Sequence, residues 1–456
     1  MVFLLIGLAV FLVGARYAFN SFFSPGAKLN NYVKAYVAID QFRGSVLVAK
    51  NGKVLLCKGY GMANYEHDIP NTPQTKFRLA SITKQFTAMA IMQLKEKGLL
   101  SVNDTLSKYI PDYPNGDKIN IHHLLTHTSG IPNLPVFPES KKKKLESYTL
   151  EQRIELFKHA PLAFKPGEKY SYNNSGYILL NYIIEKVSGK TYETILKENI
   201  FDPLGMNNSG YDKVGLIIKD RASGYSLDGS KFINAAYIDM SYVAGAGALY
   251  STVEDLYLWD QALYSEKLLP KKSLAALFTP YVVMDQSIPD SFSYGYGWRI
   301  GKIGNHNFVG HTGRFDGFKT NICRYPGDNI SIIVLSNFDH SNISQLSSGL
   351  AAIVFGEPYE LPKKRIAIVV DPQIYDQYVG KYRLKKDFIL TVTKEDNKLI
   401  AQATGQGRVE IYPESETEFF NEAIDAQISF AKDEKGKVTK LILHQGGMDQ
   451  GAEKIE

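Results

Sequence analysis

Cysteine is nearly missing: the 456-residue chain has only two, Cys57 and Cys323. That excludes a disulfide-built scaffold and a zinc site with four cysteine ligands, while leaving one bridge arithmetically open. A charge excess is missing too, since 52 Lys plus Arg against 47 Asp plus Glu leave a formal +5, too little over this length to imply nucleic acid. There is no internal repeat or low-complexity tract, and no Gly-x-Ser-x-Gly elbow of the kind that marks an α/β-hydrolase. What is present is ordinary globular material, 44% hydrophobic, 12% aromatic and 22% charged, enough to bury a sizeable core. The length predicts two or three folded units.

The apolar run Val2–Gly14 falls short of the roughly 20 residues that span a bilayer comfortably. It fits the apolar region of a signal peptide, with small residues at Val13-Gly14-Ala15, although no Lys or Arg precedes it. Retained, and lengthened by apolar residues as far as Phe23, it would act as a tilted anchor; a buried N-terminal helix is the bland alternative. Residues 1–24 are therefore expected to be a signal peptide or membrane anchor, and the remainder exported: periplasmic, membrane-anchored or secreted.

Leu29, Tyr32, Val33, Tyr36, Val37 and Ile39 follow helical spacing and predict an amphipathic helix. The β-rich runs Ser45–Lys50 and Lys53–Tyr60 are joined by Asn51-Gly52, the pair best suited to a type I′ hairpin turn. A helix is predicted over Ile82–Lys97, stopping at Gly98, with Ser81 at its start. About Thr105–Ser265 reads as helices and long loops, with the lysine run Lys141–Lys144 taken as solvated loop rather than a contact with anionic lipid. Strand patterns return at Phe308–His311, Phe318–Tyr325 and Ile330–Leu335, the last two separated by the turn residues Pro326-Gly327-Asp328-Asn329. Strands at both ends of a unit with helices between them predict an α+β domain, residues 25–356. Pro358, Pro362 and Lys363-Lys364-Arg365 break the pattern and suggest a linker over 357–371. Beyond it, over 372–456, short alternating runs with turns at Asp396-Asn397 and Lys435-Gly436 predict a small antiparallel β-barrel or meander.

Ser81-Ile82-Thr83-Lys84 places a hydroxyl and an amine on one helical face. Serine is a weak nucleophile until a base takes its proton, and lysine serves only when unprotonated, a state that burial and a helix N-terminus both favour. The same N-terminus offers backbone N–H groups to an oxyanion. Alone, Ser-x-x-Lys is a common accident. It is followed, however, by Tyr172-Asn173-Asn174 and then by His311-Thr312-Gly313 on a predicted strand.

In this order, Ser-x-x-Lys, Tyr-x-Asn and His-Thr-Gly resemble the signature of the penicillin-recognising serine hydrolases. His122-His123-Leu124-Leu125-Thr126-His127-Thr128-Ser129-Gly130 and Gly245-Ala246-Gly247-Ala248-Leu249-Tyr250-Ser251-Thr252 look like further hallmark segments of the class C β-lactamase-related branch, so the resemblance covers roughly Asn31–Phe355. It implies a β-lactamase/transpeptidase-like fold, an antiparallel sheet flanked by helices. It also implies Ser81, Lys84 and Tyr172 as catalytic residues and Asn174, His311, Thr312, Gly313 and Arg314 as substrate-binding ones, with the Arg314 N–H as the second oxyanion donor. His311 in place of lysine is a D-alanyl-D-alanine carboxypeptidase-like trait; it argues against efficient β-lactamase activity and predicts pH-sensitivity near neutrality. In the strand order of that family Cys57 and Cys323 are not neighbours, so two free thiols are expected. The last unit, from Tyr375, Tyr378, Val379, Gly380 and Tyr382 onward, resembles the lipocalin-like barrel attached to some members.

His123 and His127, four residues apart, open a zinc alternative on one helix face, but the zincin pattern needs Glu where Leu124 stands. Neither a metal nor a cofactor is expected. The reading at this stage is an exported serine hydrolase that forms an acyl-enzyme at Ser81 and acts on peptides ending in D-amino acids, cell-wall peptide included, or on related amides. An esterase or a β-lactamase is its enzymatic alternative, a non-catalytic β-lactam-binding sensor its alternative of another class, and homo-oligomerisation through the C-terminal unit is open.

Overall fold

The computed structural model describes residues 24–133, 145–228, 231–286, 291–385, 388–421, 426–445 and 448–456. The apolar run Val2–Gly14 and Lys141–Lys144 lie outside the described residues. The chain divides into two compact units, one of residues 1–343 with 349–359, the other of 344–348 with 360–456.

Helix α1 (Pro25–Ala38) begins at Ser24, whose side chain accepts the Ala27 N–H, and buries Leu29, Tyr32, Val33 and Tyr36, the positions its periodicity selects. Strands β1 (Gly44–Lys50) and β2 (Lys53–Tyr60) form the predicted hairpin. Asn51 at φ 51° and Gly52 at φ 74° supply the two left-handed residues that a type I′ turn demands. Helix α2 (Thr83–Glu96) ends before Gly98, at φ 70°. It is buried nearly all round, so it runs through the core rather than over it. Also in this unit are α3 (Ile121–Leu125) and α4 (Asn174–Ser188).

The sheet is closed from the far end of the unit by β3 (Val282–Val283), β4 (Ser293–Tyr294), β5 (Arg299–Ile303), β6 (His306–Phe315), β7 (Phe318–Tyr325) and β8 (Ile330–Ser336). Its eight strands run β3-β4-β5-β6-β7-β8-β1-β2, all antiparallel. β8 is buried at every position, as a strand covered on both faces should be. Cys57 on β2 and Cys323 on β7 have β8 and β1 between them, and no disulfide joins them. Three strand spacings of about 4.8 Å far exceed what a disulfide spans.

The second unit is a closed antiparallel barrel of β9 (Gly380–Lys385), β10 (Phe388–Glu395), β11 (Lys398–Ala403), β12 (Arg408–Pro413), β13 (Glu418–Asn421), β14 (Ala426–Lys432), β15 (Val438–Gln445) and β16 (Met448–Lys454). Tyr382 opposite Lys454 and Arg383 opposite Glu453 close it. The interior is occupied by side chains: Tyr378 stacks on Phe430 with centroids 4.3 Å apart, and Leu390, Val392, Leu399, Phe419 and Leu441 surround them. At the β10–β11 turn, Asp396 and Asn397 both take positive φ, as the sequence suggested.

Candidate active site

Ser81 is set by a strained turn. Phe77–Arg78 is a short strand, and the next residue, Leu79, is held on both sides: its N–H donates to the Leu249 carbonyl and its carbonyl accepts from Thr320 Oγ1, each at 2.8 Å. Ala80 then sits at φ 50°, a left-handed conformation that costs a non-glycine residue on the order of 1 kcal/mol. The chain turns there into the 3₁₀ turn Ala80–Ile82 and on into α2, so Ser81 lies just outside the helix start.

One turn later Lys84 points back. Its side chain is completely buried, with Nζ 3.1 Å from Ser81 Oγ and 2.8 Å from both Asn174 Oδ1 and the Ala246 carbonyl. The ammonium has no ion-pair partner among the described residues; the rings of Tyr172 and Tyr177 lie 4.9 and 5.5 Å away. Burial, aided by the charge of Arg299, pushes its pKa well below the ordinary lysine value. Two of its neighbours are oxygens that only accept. A neutral Lys84 therefore spends its two N–H groups on Asn174 and Ala246 and turns its lone pair to the Ser81 hydroxyl.

Tyr172 closes the other side. Its hydroxyl faces Ser81 without a hydrogen bond of full geometry; burial pushes its pKa up to about 12, opposed by Ser81 and by Arg299. Asn174 opens α4, where the preceding Asn173 caps the helix: Oδ1 accepts the Gly176 N–H at 2.8 Å, and Nδ2 donates to the Ile131 carbonyl. That cap fixes the position from which Asn174 reaches Lys84.

The third motif lies on β6. A Cβ added at Gly313 would stand 2.2 Å from the Leu79 carbonyl oxygen and 3.0 Å from the Ala80 Cβ, so glycine is what lets this strand press on the turn that leads into Ser81. Pairing of β5 with β6 stops at Arg299 opposite Gly310, which leaves His311–Phe315 with an open edge on that side. Thr312 is half-buried and Arg314 exposed. His311 is buried: Nδ1–H donates to the Thr312 carbonyl at 2.6 Å, and Nε2 is left to accept from the Tyr294 hydroxyl at 2.9 Å. Burial, Arg299 and Lys84 push its pKa well below the usual histidine value. The expected titration of His311 near neutrality is thereby moved toward acid: its two hydrogen-bond partners are neutral, and burial and the charge of Arg299 both disfavour the imidazolium.

The structure thus gathers Ser81, Lys84, Tyr172 and Asn174 into one contact cluster, with Gly313 beneath the serine and His311 beside Tyr172, ring centroids 6.1 Å apart. Sequence reasoning missed Arg299, which the local Gly297-Trp298-Arg299 does not signal, and Tyr294. It singled out Gly245–Thr252 without seeing that the Ala246 carbonyl is a lysine acceptor. The histidine pair also needs correcting. α3 ends at Leu125 and His127 lies beyond it at φ 60°, so His123 and His127 do not share a helix face. Their Nδ1 atoms accept backbone N–H groups, from Asn120 at 3.3 Å and Asn173 at 3.1 Å. No group of three metal-ligating side chains is found among the described residues.

Known proteins resemble this chain. Residues 29–350 match the β-lactamase family model, and residues 364–454 match a domain of unknown function, DUF3471. Penicillin-binding protein 4* of Bacillus subtilis (strain 168) is 31% identical over 434 residues, 90% of this chain and 95% of the relative. Among solved structures, a penicillin-binding protein from Bacillus halodurans is 32% identical with a TM-score of 0.61, covering 71% of this chain and 97% of its own. The octameric penicillin-binding protein homologue from Pyrococcus abyssi is 28% identical with a TM-score of 0.68 and covers 94% of this chain and 99% of its own. The match to the family model spans the part of the chain that carries all three motifs, and by it the protein belongs to the β-lactamase family.

Proposed function

We propose that the protein is a serine hydrolase that forms an acyl-enzyme at Ser81 and cleaves peptides ending in a D-amino acid, or related amides. The observation that carries this is the Lys84 amine, buried without an anion among the described residues and held with Nζ 3.1 Å from Ser81 Oγ. In the acylation step the Ser81 proton passes to Lys84 Nζ while Oγ bonds to the substrate carbonyl carbon. The oxyanion is received by the Ser81 and Arg314 N–H groups. A proton delivered through the Tyr172 hydroxyl then goes to the leaving amine as the C–N bond breaks. Water repeats the sequence in deacylation: it loses a proton to the Tyr172–Lys84 pair, and Ser81 Oγ leaves reprotonated.

Two features favour a peptide with a free carboxylate. The open edge of His311–Phe315 suits an extended peptide backbone, which adds to a sheet edge by main-chain hydrogen bonds. Arg299 has no ion-pair partner among the described residues, and its Nε is buried without a hydrogen bond. A carboxylate would satisfy it.

The test is a panel of D-alanyl-D-alanine peptide, D-amino-acid amide, small ester and penicillin, read as product release and as the intact mass of the protein. Release of terminal D-alanine with a Ser81-dependent penicilloyl adduct is expected. Penicillin turnover would make the protein a β-lactamase, ester turnover alone an esterase, and a lasting adduct with no turnover of any substrate a sensor. Export rests on the apolar N-terminus and on the penicillin-binding relatives; among the described residues no helix is long and apolar enough to cross a membrane. The octameric relative, aligned through the barrel, supports homo-oligomerisation, which light scattering measures.

A further inference from the structure

Tyr172 is held in an unusual way. The residue before it, Ser171, donates its N–H to the His127 carbonyl at 2.9 Å, and the residue after it, Asn173, donates its N–H to His127 Nδ1 at 3.1 Å. One residue therefore grips the backbone on both sides of the tyrosine. The imidazole also lies against the tyrosine itself, ring centroids 4.5 Å apart, inside a box completed by Tyr170, Tyr177 and Tyr294 at 5.8, 5.1 and 4.7 Å. Reaching both bonds requires His127 at φ 60°, a conformation that costs free energy for a residue with a Cβ. The grip is ordered from below: the His127 N–H and the Thr128 N–H reach back to α3, to the carbonyls of Leu124 and His123.

We propose that His127 is a positioning residue for the reaction, setting the Tyr172 hydroxyl over the Ser81–Lys84 pair by accepting the Asn173 N–H at Nδ1. This rests on the reading of Tyr172 as the proton carrier. The grip needs an unprotonated Nδ1, because a protonated ring would present N–H to N–H. The surroundings favour it: complete burial, together with the charge of Arg299, pushes the imidazole well below its usual pKa. His127 Nε2, which then carries the proton, has no hydrogen-bond partner among the described residues. A residue kept only for packing would not leave a buried donor unpaired; an apolar ring would fill that space without the penalty.

Asparagine tests this, since its Oδ1 occupies the place of histidine Nδ1 and it tolerates positive φ. His127→Gly also tolerates the conformation but has no acceptor, which removes backbone strain as an explanation. The full chain and its variants are treated with a serine-reactive fluorophosphonate and with penicillin, and the Ser81 acylation rate is read by intact mass, with thermal unfolding as a check on folding. His127→Gly is expected to acylate about 100-fold more slowly, through the maximal rate rather than the concentration for half-saturation, and His127→Asn to recover to within about fivefold of the native rate. In the double variant His127→Gly/Tyr172→Phe, acylation should be no slower than in Tyr172→Phe alone.

A His127→Gly protein as fast as native, an asparagine variant as slow as glycine, or losses that multiply in the double variant would each overturn the positioning role. If Tyr172→Phe itself acylates at the native rate, the reading of Tyr172 has failed and takes this proposal with it, a result distinct from the other three.

Discussion

Two of the cationic side chains buried in the hydrolase unit, Arg324 and Lys84, have opposite surroundings. Arg324 on β7 is 2% exposed and meets the fully buried Asp260, Nε to Oδ1 at 2.8 Å, with Tyr264 and Phe278 against its guanidinium. Lys84 is as deeply buried but is offered a hydroxyl, an amide oxygen and a backbone carbonyl, none of them charged. Removing an ion from water costs several kcal/mol, and a carboxylate in contact returns much of it. Arg324 has that return and stays a charged structural post. Lys84 lacks it, so burial pushes its pKa well below the ordinary lysine value, toward the neutral amine that can act as a base.

The comparison breaks first at the nucleophile. Ser81→Ala is expected to abolish covalent labelling by penicillin and fluorophosphonate while leaving thermal unfolding near native; an adduct that survives would place the nucleophile elsewhere. Next is Lys84→Arg, which keeps a cation and hydrogen-bond donors but cannot deprotonate, its pKa lying above about 12. Acylation should fall on the order of 10³-fold. A variant that acylates at the native rate would show that the position needs a charge, not a base. Asp260→Asn acts on the other cation: Arg324 loses its anion, and the fold should lose about 3–5 kcal/mol, read as a drop of several degrees in Tm, with acylation per folded molecule unchanged. Equal loss of activity and stability in both variants would erase the distinction.

The legible part of the molecule was the part built from local chemistry. Asn51-Gly52 could be read as a hairpin because two adjacent positive φ angles are a property of two residues. The same holds for Asp396-Asn397, for the stop at Gly98 and for Ser81 with Lys84, three residues apart on one turn. Tyr172, Asn174 and His311 were found through resemblance, and the fold explains why spacing could not find them: Asn174 meets Lys84 across 90 residues of chain. Arg299 escaped because its influence is electrostatic and acts through space from the start of β5. The Ala246 carbonyl escaped because any residue has one. His311 was found but misjudged, since its burial and its neutral partners belong to the packing of β6 against Tyr294, which the local sequence does not carry.

The smallest expected effect isolates Arg299. Its charge lowers the pKa of Lys84, His127 and His311, and also that of Tyr172, since a nearby cation favours the neutral amine or imidazole and the phenolate alike. In the proposed mechanism acylation needs Lys84 unprotonated, so the acid limb of kcat/KM against pH reports its loss of a proton. The alkaline limb reports Tyr172, which must keep its proton to deliver it. Arg299→Gln removes the cation, both pKa values rise, and the whole bell should move toward higher pH. At neutral pH the rate falls because more Lys84 is protonated, and for a substrate ending in a free carboxylate KM should rise about tenfold as well. For the matching amide substrate KM should not change. A bell that stays in place would mean that Lys84 is held as a base by burial alone. An unchanged KM would free Arg299 from the carboxylate and leave the open edge of β6 as the main determinant of substrate binding.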